Sequence, residues 1–271
     1  MRRLRGRTAV VTGAASGIGR SLIDRLASED MNLVLADIDG DRLGDVVDQV
    51  RRGGNRAIGV PTDVGAAASL DELAEATVEE FGLPHLVCAN AGVNRFARFQ
   101  ELSLDDWQWI IGVNLMGVVH TVRSFLPLLL QGRDGCVAIT ASMASFMGGV
   151  DRSAYTAAKH AVLAVADTVA DELAADGRTD IGVTTMFPGP VDTEIAFSGR
   201  HRPGPTEELT EDARRFADFL ASSGVEPAAA ADLLIESVMA GKRYVFTHPD
   251  LARKAIERRY AAMLADLDAS V

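Results

Sequence analysis

From Thr8 to Phe187 this chain alternates runs that favour strand with runs that favour helix, and that order admits few folds. Thr8–Thr12 is a short β-branched run, the kind of segment that fits a pleated sheet. After it, Ile18, Leu22, Ile23 and Leu26 recur at helical spacing and predict a helix over Gly17–Ser28. Asn32–Asp37 reads as a buried strand, and Leu43, Val46, Val47 and Val50 mark one face of an amphipathic helix. The rhythm continues through strand Ala57–Pro61, helix Ser69–Phe81, strand Leu86–Asn90 and a helix beginning near Leu104. Strand Cys136–Ala141, a long helix over Tyr155–Ala174 and strand Ile181–Phe187 complete it. Strands joined through helices run parallel with right-handed crossovers, which places helices on both faces of the sheet. The expected fold class is α/β: one doubly wound domain over residues 1–271, with a parallel sheet of about seven strands.

Two stretches stand outside this rhythm. Residues 192–226 are polar, carry Pro203 and Pro205, and contain a short helical pattern at Glu207–Leu220. So long an excursion in a compact domain reads as a lid over a binding site. Near the end, Leu251, Ile256, Tyr260, Leu264 and Leu267 form an apolar stripe on a helix expected over 251–268. That stripe packs either on a neighbouring subunit or back on its own chain.

The first strand runs directly into Thr12-Gly13-Ala14-Ala15-Ser16-Gly17-Ile18-Gly19 and then into helix. In such a turn Gly13 permits the sharp bend, Gly17 lets backbone approach a pyrophosphate, and Gly19 lets the helix pack closely. The amides and positive end of the helix then receive phosphate. Asp37 ends the second strand, where a carboxylate suits both ribose hydroxyls of NAD. A 2′-phosphate would meet Asp37 with neither Ser16 nor Ile38 to supply a positive charge, at a cost of several kcal/mol at an effective dielectric of about 20. Arg42, in the next helix, is the nearest cation. The expected domain is Rossmann-type and the expected cofactor is NAD.

Further along, Tyr155 and Lys159 are spaced i, i+4, which sets them on one helix face about 6 Å apart. Val162, Ala166, Val169 and Leu173 continue that face, so it points inward. A free phenol is only about 0.1% ionised at pH 7. A unit positive charge about 6 Å away contributes roughly 2–3 kcal/mol at an effective dielectric near 20, which would lower the phenol pKa by about two. Tyr155 is therefore expected to serve as a base for an alcohol proton. Ser142, just before, can hydrogen-bond the reacting oxygen, and Asn114 lies in the preceding helix.

With these residues assembled, the chain closely resembles the short-chain dehydrogenase/reductase family over about residues 5–195. The matching pieces are the TGxxxGIG turn, Asp63-Val64, Asn90-Ala91-Gly92, Asn114, Ser142, the Tyr155-xxx-Lys159 pair and the Pro188–Thr193 segment. Ala89 and Ser145 depart from the pattern, standing where members often carry Asn and Gly. The resemblance implies a catalytic set of Asn114, Ser142, Tyr155 and Lys159. It further implies that Asp63 and Val64 bind the adenine, that Asn90-Ala91-Gly92 supports the adenosine side, and that Asn114 holds a proton-relay water. Lys159 would also bind the nicotinamide ribose, Val191 and Thr193 would hold the carboxamide, and Pro188 and Gly189 would belong to the cofactor-binding set. Assembly as a homodimer or homotetramer is implied as well.

The charge balance narrows the alternatives. Lys and Arg total 27 against 38 Asp and Glu, a net charge of −11, with no basic stripe to follow a phosphate backbone; a nucleic-acid partner is not expected. Apolar stretches such as Leu126–Leu130 fall far short of the ~20 residues that span a bilayer, and MRRLRGR reads as a solvated N-terminus, so a cytoplasmic protein without a membrane partner is expected. Cys88 and Cys136 sit in strand-like runs as free thiols, and no His or carboxylate group has metal-ligand spacing. The leading function is an oxidoreductase moving a hydride between NAD(H) and a secondary alcohol or ketone. The alternatives are an NADPH-dependent ketoreductase and a dinucleotide-sensing protein without chemistry. Val93–Phe99, Ala144–Val150 and the 192–226 excursion, with Phe96, Phe99, Phe146, Met147, Gly148, Gly149 and Phe197, predict an apolar substrate. Trp107, Trp109, His160 and His248 are expected to be scaffold.

Overall fold

A computed structural model describes residues 3–203 and 210–270. Met1, Arg2, Pro205 and the first residues of the Glu207–Leu220 pattern lie outside that set. The strands are β1 (Thr8–Thr12), β2 (Asn32–Asp37), β3 (Ala57–Pro61), β4 (Leu86–Ala89), β5 (Gly135–Thr140), β6 (Ile181–Phe187) and β7 (Tyr244–Phe246). They form a seven-stranded sheet in the order β3-β2-β1-β4-β5-β6-β7, and every pairing is parallel. The chain therefore winds outward from β1 in one direction and from β4 in the other. Ligands bind in the crevice at the carboxyl ends of two such strands, where the order reverses.

Both faces of the sheet are covered, so its central strands β1, β4 and β5 are buried throughout rather than alternating. Ala9, Val11, Leu33 and Leu35 point to one face, packed by Leu22, Ile23 and Leu26 of α1 (Gly17–Ala27), by Leu43, Val46, Val47 and Val50 of α2 (Gly40–Arg52), and by Leu234 and Ile235 of a later helix. Val10, Val34 and Val87 point the other way. They meet Leu70 and Leu73 of α3 (Ala67–Phe81) and Val162 and Ala166 of α6 (Ser153–Ala175). Cys88 and Cys136 are both buried, free, and part of the first cluster.

Between β4 and β5 a continuous helical run is built from α4 (Leu104–Ile111), a π-type turn (Gly112–Met116) and α5 (Gly117–Gln131). Ser103 and Asp106 close its start as a reciprocal capping box. By length and composition these 28 residues would suffice to cross a bilayer, which corrects the expectation drawn from short apolar stretches. In the fold, Val118, Val122, Phe125 and Leu129 lie in the second core cluster.

The carboxyl-terminal third adds α7 (Glu211–Ser223), α8 (Pro227–Met239), β7 and α9 (Pro249–Asp268). Neither α8 nor β7 was legible in the pattern, and the short lid helix starts and ends later than its residues suggest. On α9 Ala252 is buried and Ile256 half-buried, whereas Tyr260, Leu264 and Leu267 are exposed, so the outer part of the stripe is left uncovered by the described residues of its own chain. At the other end Leu4 is buried and Arg7 reaches Asp134 at 2.7 Å, with Arg5 paired to Asp30. The basic head is thus anchored to the body rather than wholly solvated.

Candidate active site

A cleft of about 440 Å³ opens at the carboxyl ends of β1 and β4. The expected cofactor-binding residues Gly13, Ser16, Gly17, Ile18, Asp37, Asp63, Val64, Asn90, Ala91, Gly92, Pro188, Gly189, Val191 and Thr193 line it, as do Asn114, Ser142, Tyr155 and Lys159. Gly19 alone of the expected set stands behind the wall. A Cβ there would overlap the Gly13 carbonyl oxygen, so this glycine serves the close fit of α1 against the turn.

Gly13 has φ +66, and a Cβ on it would come 2.9 Å from the Cα of Ala91. Ser16 occupies the cap of α1 without bonding through its side chain. The first amides of α1 are therefore left without a side-chain acceptor, the condition in which a helix start receives an anion. Thr12 and Asn90 hold the two strand ends together: the Thr12 hydroxyl accepts from the amides of Asn90 (3.0 Å) and Ala91 (3.1 Å). Asn90 Nδ2 returns a bond to Thr12 O at 3.1 Å, and the Thr140 hydroxyl donates to Asn90 Oδ1 at 3.0 Å.

Asp37 accepts from the amides of Ala15 (2.9 Å) and Asp39 (3.0 Å), which fixes its carboxylate at the cleft edge. Arg42 turns away toward Glu194, 2.7 Å from its carboxylate. The side chain of Val64 fills the space that a Cβ on Gly117 would enter, and Asp63 Oδ1 accepts from Gly65 N at 2.8 Å.

At the opposite end Asn114 is fully buried within the π-type turn. The extra residue in such a turn frees backbone from the regular ladder, and these turns gather at functional sites. Asn114 Nδ2 donates to the carbonyls of Ile110 (3.0 Å) and Val93 (2.8 Å), while Oδ1 accepts from Val93 N at 3.2 Å. A Cβ on Gly92 would lie 3.0 Å from Asn114 Oδ1 and 3.8 Å from Lys159 Nζ, so both polar atoms border that glycine. Lys159 donates to Thr140 O at 2.8 Å, and Ser145, at a departure from the family pattern, donates to Lys159 O at 2.6 Å.

The Lys159 ammonium lies 5.8 Å from the centre of the Tyr155 ring. Burial brings Lys159 down to about 8. Tyr155 corrects the simple charge argument: burial pushes its phenol up, and the hydrogen bond with Ser142 and the charge of Arg152 only partly oppose this. Desolvation of the phenolate thus outweighs the charge of Arg152.

The apolar wall also differs from expectation. Met147 and Gly148 line the cleft, but Phe96, Phe99, Phe146, Gly149 and Phe197 do not. Phe146 packs on Phe187, Phe96 on Phe216, and Phe99 edge-to-face on Trp107. Trp109, expected to be scaffold, joins the wall with Phe216, Phe219 and Leu251. Loops have no side-chain period, so their inward residues carry no sequence signal. His248 also has a task, since a Cβ on Gly189 would come within 2.6 Å of its ring and Thr247 accepts from Gly189 N at 2.9 Å.

The excursion is closed at its base, where Val191 bridges Val225. Above the base runs a 3₁₀ segment, Glu194–His201. Ser198 accepts from Asn94 N at 2.8 Å, and Arg202 pairs with the buried Asp106 at 2.8 Å.

Parallel sheet, glycine turn and the Tyr–Lys helix together define a nucleotide-binding oxidoreductase. The family model described as short chain dehydrogenase matches residues 7–203, and the chain belongs to that family. It shares 36% identity and a TM-score of 0.92 with a short-chain dehydrogenase/reductase from Burkholderia phymatum solved in complex with NAD, over 98% of this chain and 97% of that one. It is 34% identical to the 1-deoxy-11-beta-hydroxypentalenate dehydrogenase of Streptomyces avermitilis, covering 90% of this chain and 85% of that protein. A third relative, "Probable oxidoreductase EphD" of Mycobacterium tuberculosis, is 34% identical over 84% of this chain, which spans 38% of that longer protein.

Proposed function

We propose that this oxidoreductase interconverts a secondary alcohol and its ketone with NAD(H), using Tyr155 as acid and base. The observation that carries the reading is convergence: Asn114, Ser142, Tyr155 and Lys159 line one end of a cleft whose other end holds the glycine turn and Asp37. The uncapped start of α1 and the bare Gly13 and Gly17 suit a pyrophosphate, and Asp37 with Arg42 committed to Glu194 suits an unphosphorylated ribose. When bound, NAD supplies the hydride acceptor.

The chain's own residues handle the proton. Ser142 and Tyr155 hold the substrate oxygen, and Tyr155 takes its proton as the hydride leaves. Lys159 carries positive charge into the buried end and stabilises the phenolate, while Asn114 anchors the route by which the proton reaches solvent. In the reduction direction Tyr155 returns the proton. The Streptomyces relative, by its name a dehydrogenase of a hydroxylated compound, supports a carbinol substrate. Trp109, Phe216, Phe219 and Leu251 in the wall support an apolar frame. The exposed stripe of α9 supports assembly into a homo-oligomer.

The test is a panel of secondary alcohols assayed in parallel with NAD and NADP, in the wild type and in Tyr155→Phe. The reading expects turnover with NAD and its loss in the variant with NADH binding intact. Near-normal turnover by Tyr155→Phe would refute it.

A further inference from the structure

Among the charged side chains in the cleft wall, Arg152 stands apart. Arg200 pairs with Glu194 at 2.7 Å, and Lys159 is held by the Thr140 carbonyl. Arg152 has no carboxylate partner among the described residues. Its neighbour Asp151 is already paired with Arg98 at 3.0 Å.

The position is also costly for a cation. Arg152 caps the start of α6, where Ser or Asp is favoured and where the helix dipole repels positive charge. It makes no side-chain capping bond there. The guanidinium is nonetheless given a seat. It lies over the Phe216 ring at 5.8 Å, and any Cβ on Gly149 would overlap it. It is close enough to Tyr155 for its charge to act on the phenol.

An uncompensated guanidinium on an apolar wall, in the same cleft as Tyr155, in a chain of net charge −11, calls for an anion from outside. We propose that Arg152 binds a carboxylate of the substrate, so that the substrate is a hydroxy acid or keto acid whose apolar frame separates the carboxylate from the carbinol. The planar fork of arginine matches the two oxygens of a carboxylate, which makes it selective over a neutral ester of the same shape. This rests on the cleft being the active site and adds the class of molecule that enters it.

The experiment uses the NADH-loaded protein, titrated calorimetrically with 4-tert-butylcyclohexanecarboxylate and with its methyl ester. The wild type should bind the acid about tenfold or more tightly than the ester. In Arg152→Gln the ratio should fall to within about twofold, with Arg152→Lys between the two. NADH affinity, read by its fluorescence, should stay the same in all three proteins. Equal affinity for acid and ester in the wild type, an undiminished ratio in Arg152→Gln, no saturable binding of the acid, or weakened NADH binding would each overturn the proposal. Turnover of secondary hydroxy acids and of uncharged secondary alcohols by the wild type, with NAD and with NADP, is scored separately: acid selectivity without turnover of either class keeps the anion site and removes the dehydrogenase reading.

Discussion

Lys159 donates its ammonium proton to the Thr140 carbonyl, 2.8 Å away, from a site 2% exposed to solvent. That burial holds its pKa at about 8, against about 10.4 in an unfolded chain. Below pH 8 both states carry the proton and the folded state bears the whole penalty, about 3 kcal/mol. As pH rises from 8 to about 10.4 the folded chain releases the proton first, so stability rises with pH. Lys159→Met removes the penalty and loses one hydrogen bond worth about 1 kcal/mol. Denaturant unfolding at pH 7 should show the variant about 1–2 kcal/mol more stable, with the gain gone by about pH 10, while turnover drops at least about 100-fold. A lower midpoint at pH 7 would contradict the argument.

The turn at the start of α1 predicts opposite outcomes for two glycines. Gly19→Ala drives a methyl into the Gly13 carbonyl and should cost about 3 kcal/mol and abolish NADH binding. Gly44 is exposed within α2, and a Cβ there has nothing within 4 Å. Gly44→Ala should therefore stabilise by about 0.5–1 kcal/mol. Urea midpoints of both variants decide the matter.

Asp106 ties the excursion to α4. Burial would raise its pKa, but hydrogen bonds from Ser103 and the charges of Arg95 and Arg202 together hold it below the ordinary carboxylate value. Its contribution is thus present above about pH 4 and is lost as the pH falls through the depressed value. Asp106→Asn should cost about 3–4 kcal/mol at pH 7, since both arginines lose their charged partner. The difference from wild type should shrink on acidification to about pH 3. Because Arg202 lies on the excursion, KM should rise more than kcat falls.

Cofactor choice is expected to rest on Asp37 and, behind it, on the Arg42–Glu194 pair. Asp37→Ser should reduce the preference for NAD over NADP by about tenfold or more. Adding Glu194→Gln releases Arg42 and should reduce it further. If the second substitution changes kcat/KM for NADP no more than for NAD, Arg42 plays no part.

The sequence resolved what repeats and missed what does not. Val10 and Val11 face opposite cores, and because the central strands are buried on both sides, each of them reads as an apolar run. β7 has three residues, too few for any period, and the Ala-rich opening of α8 shows no stripe. The Tyr155–Lys159 spacing was legible because an α-helix fixes it. Asn114 was identified by its motif alone, since a π-type turn shifts the helical phase and no spacing rule says where the side chain points. The phenol's environment lay beyond spacing altogether: how deeply Tyr155 is desolvated depends on residues distant in the chain.

The two thiols have a practical use that follows from where they lie. Burial pushes Cys136 up to about 11 and Cys88 higher still, so neither is an effective nucleophile while the sheet is intact. A colorimetric disulfide reagent added to the native protein therefore acts as a clock for global opening. The slowing of that clock by each added cofactor or acid measures, without an engineered label, how much tighter the molecule holds itself shut.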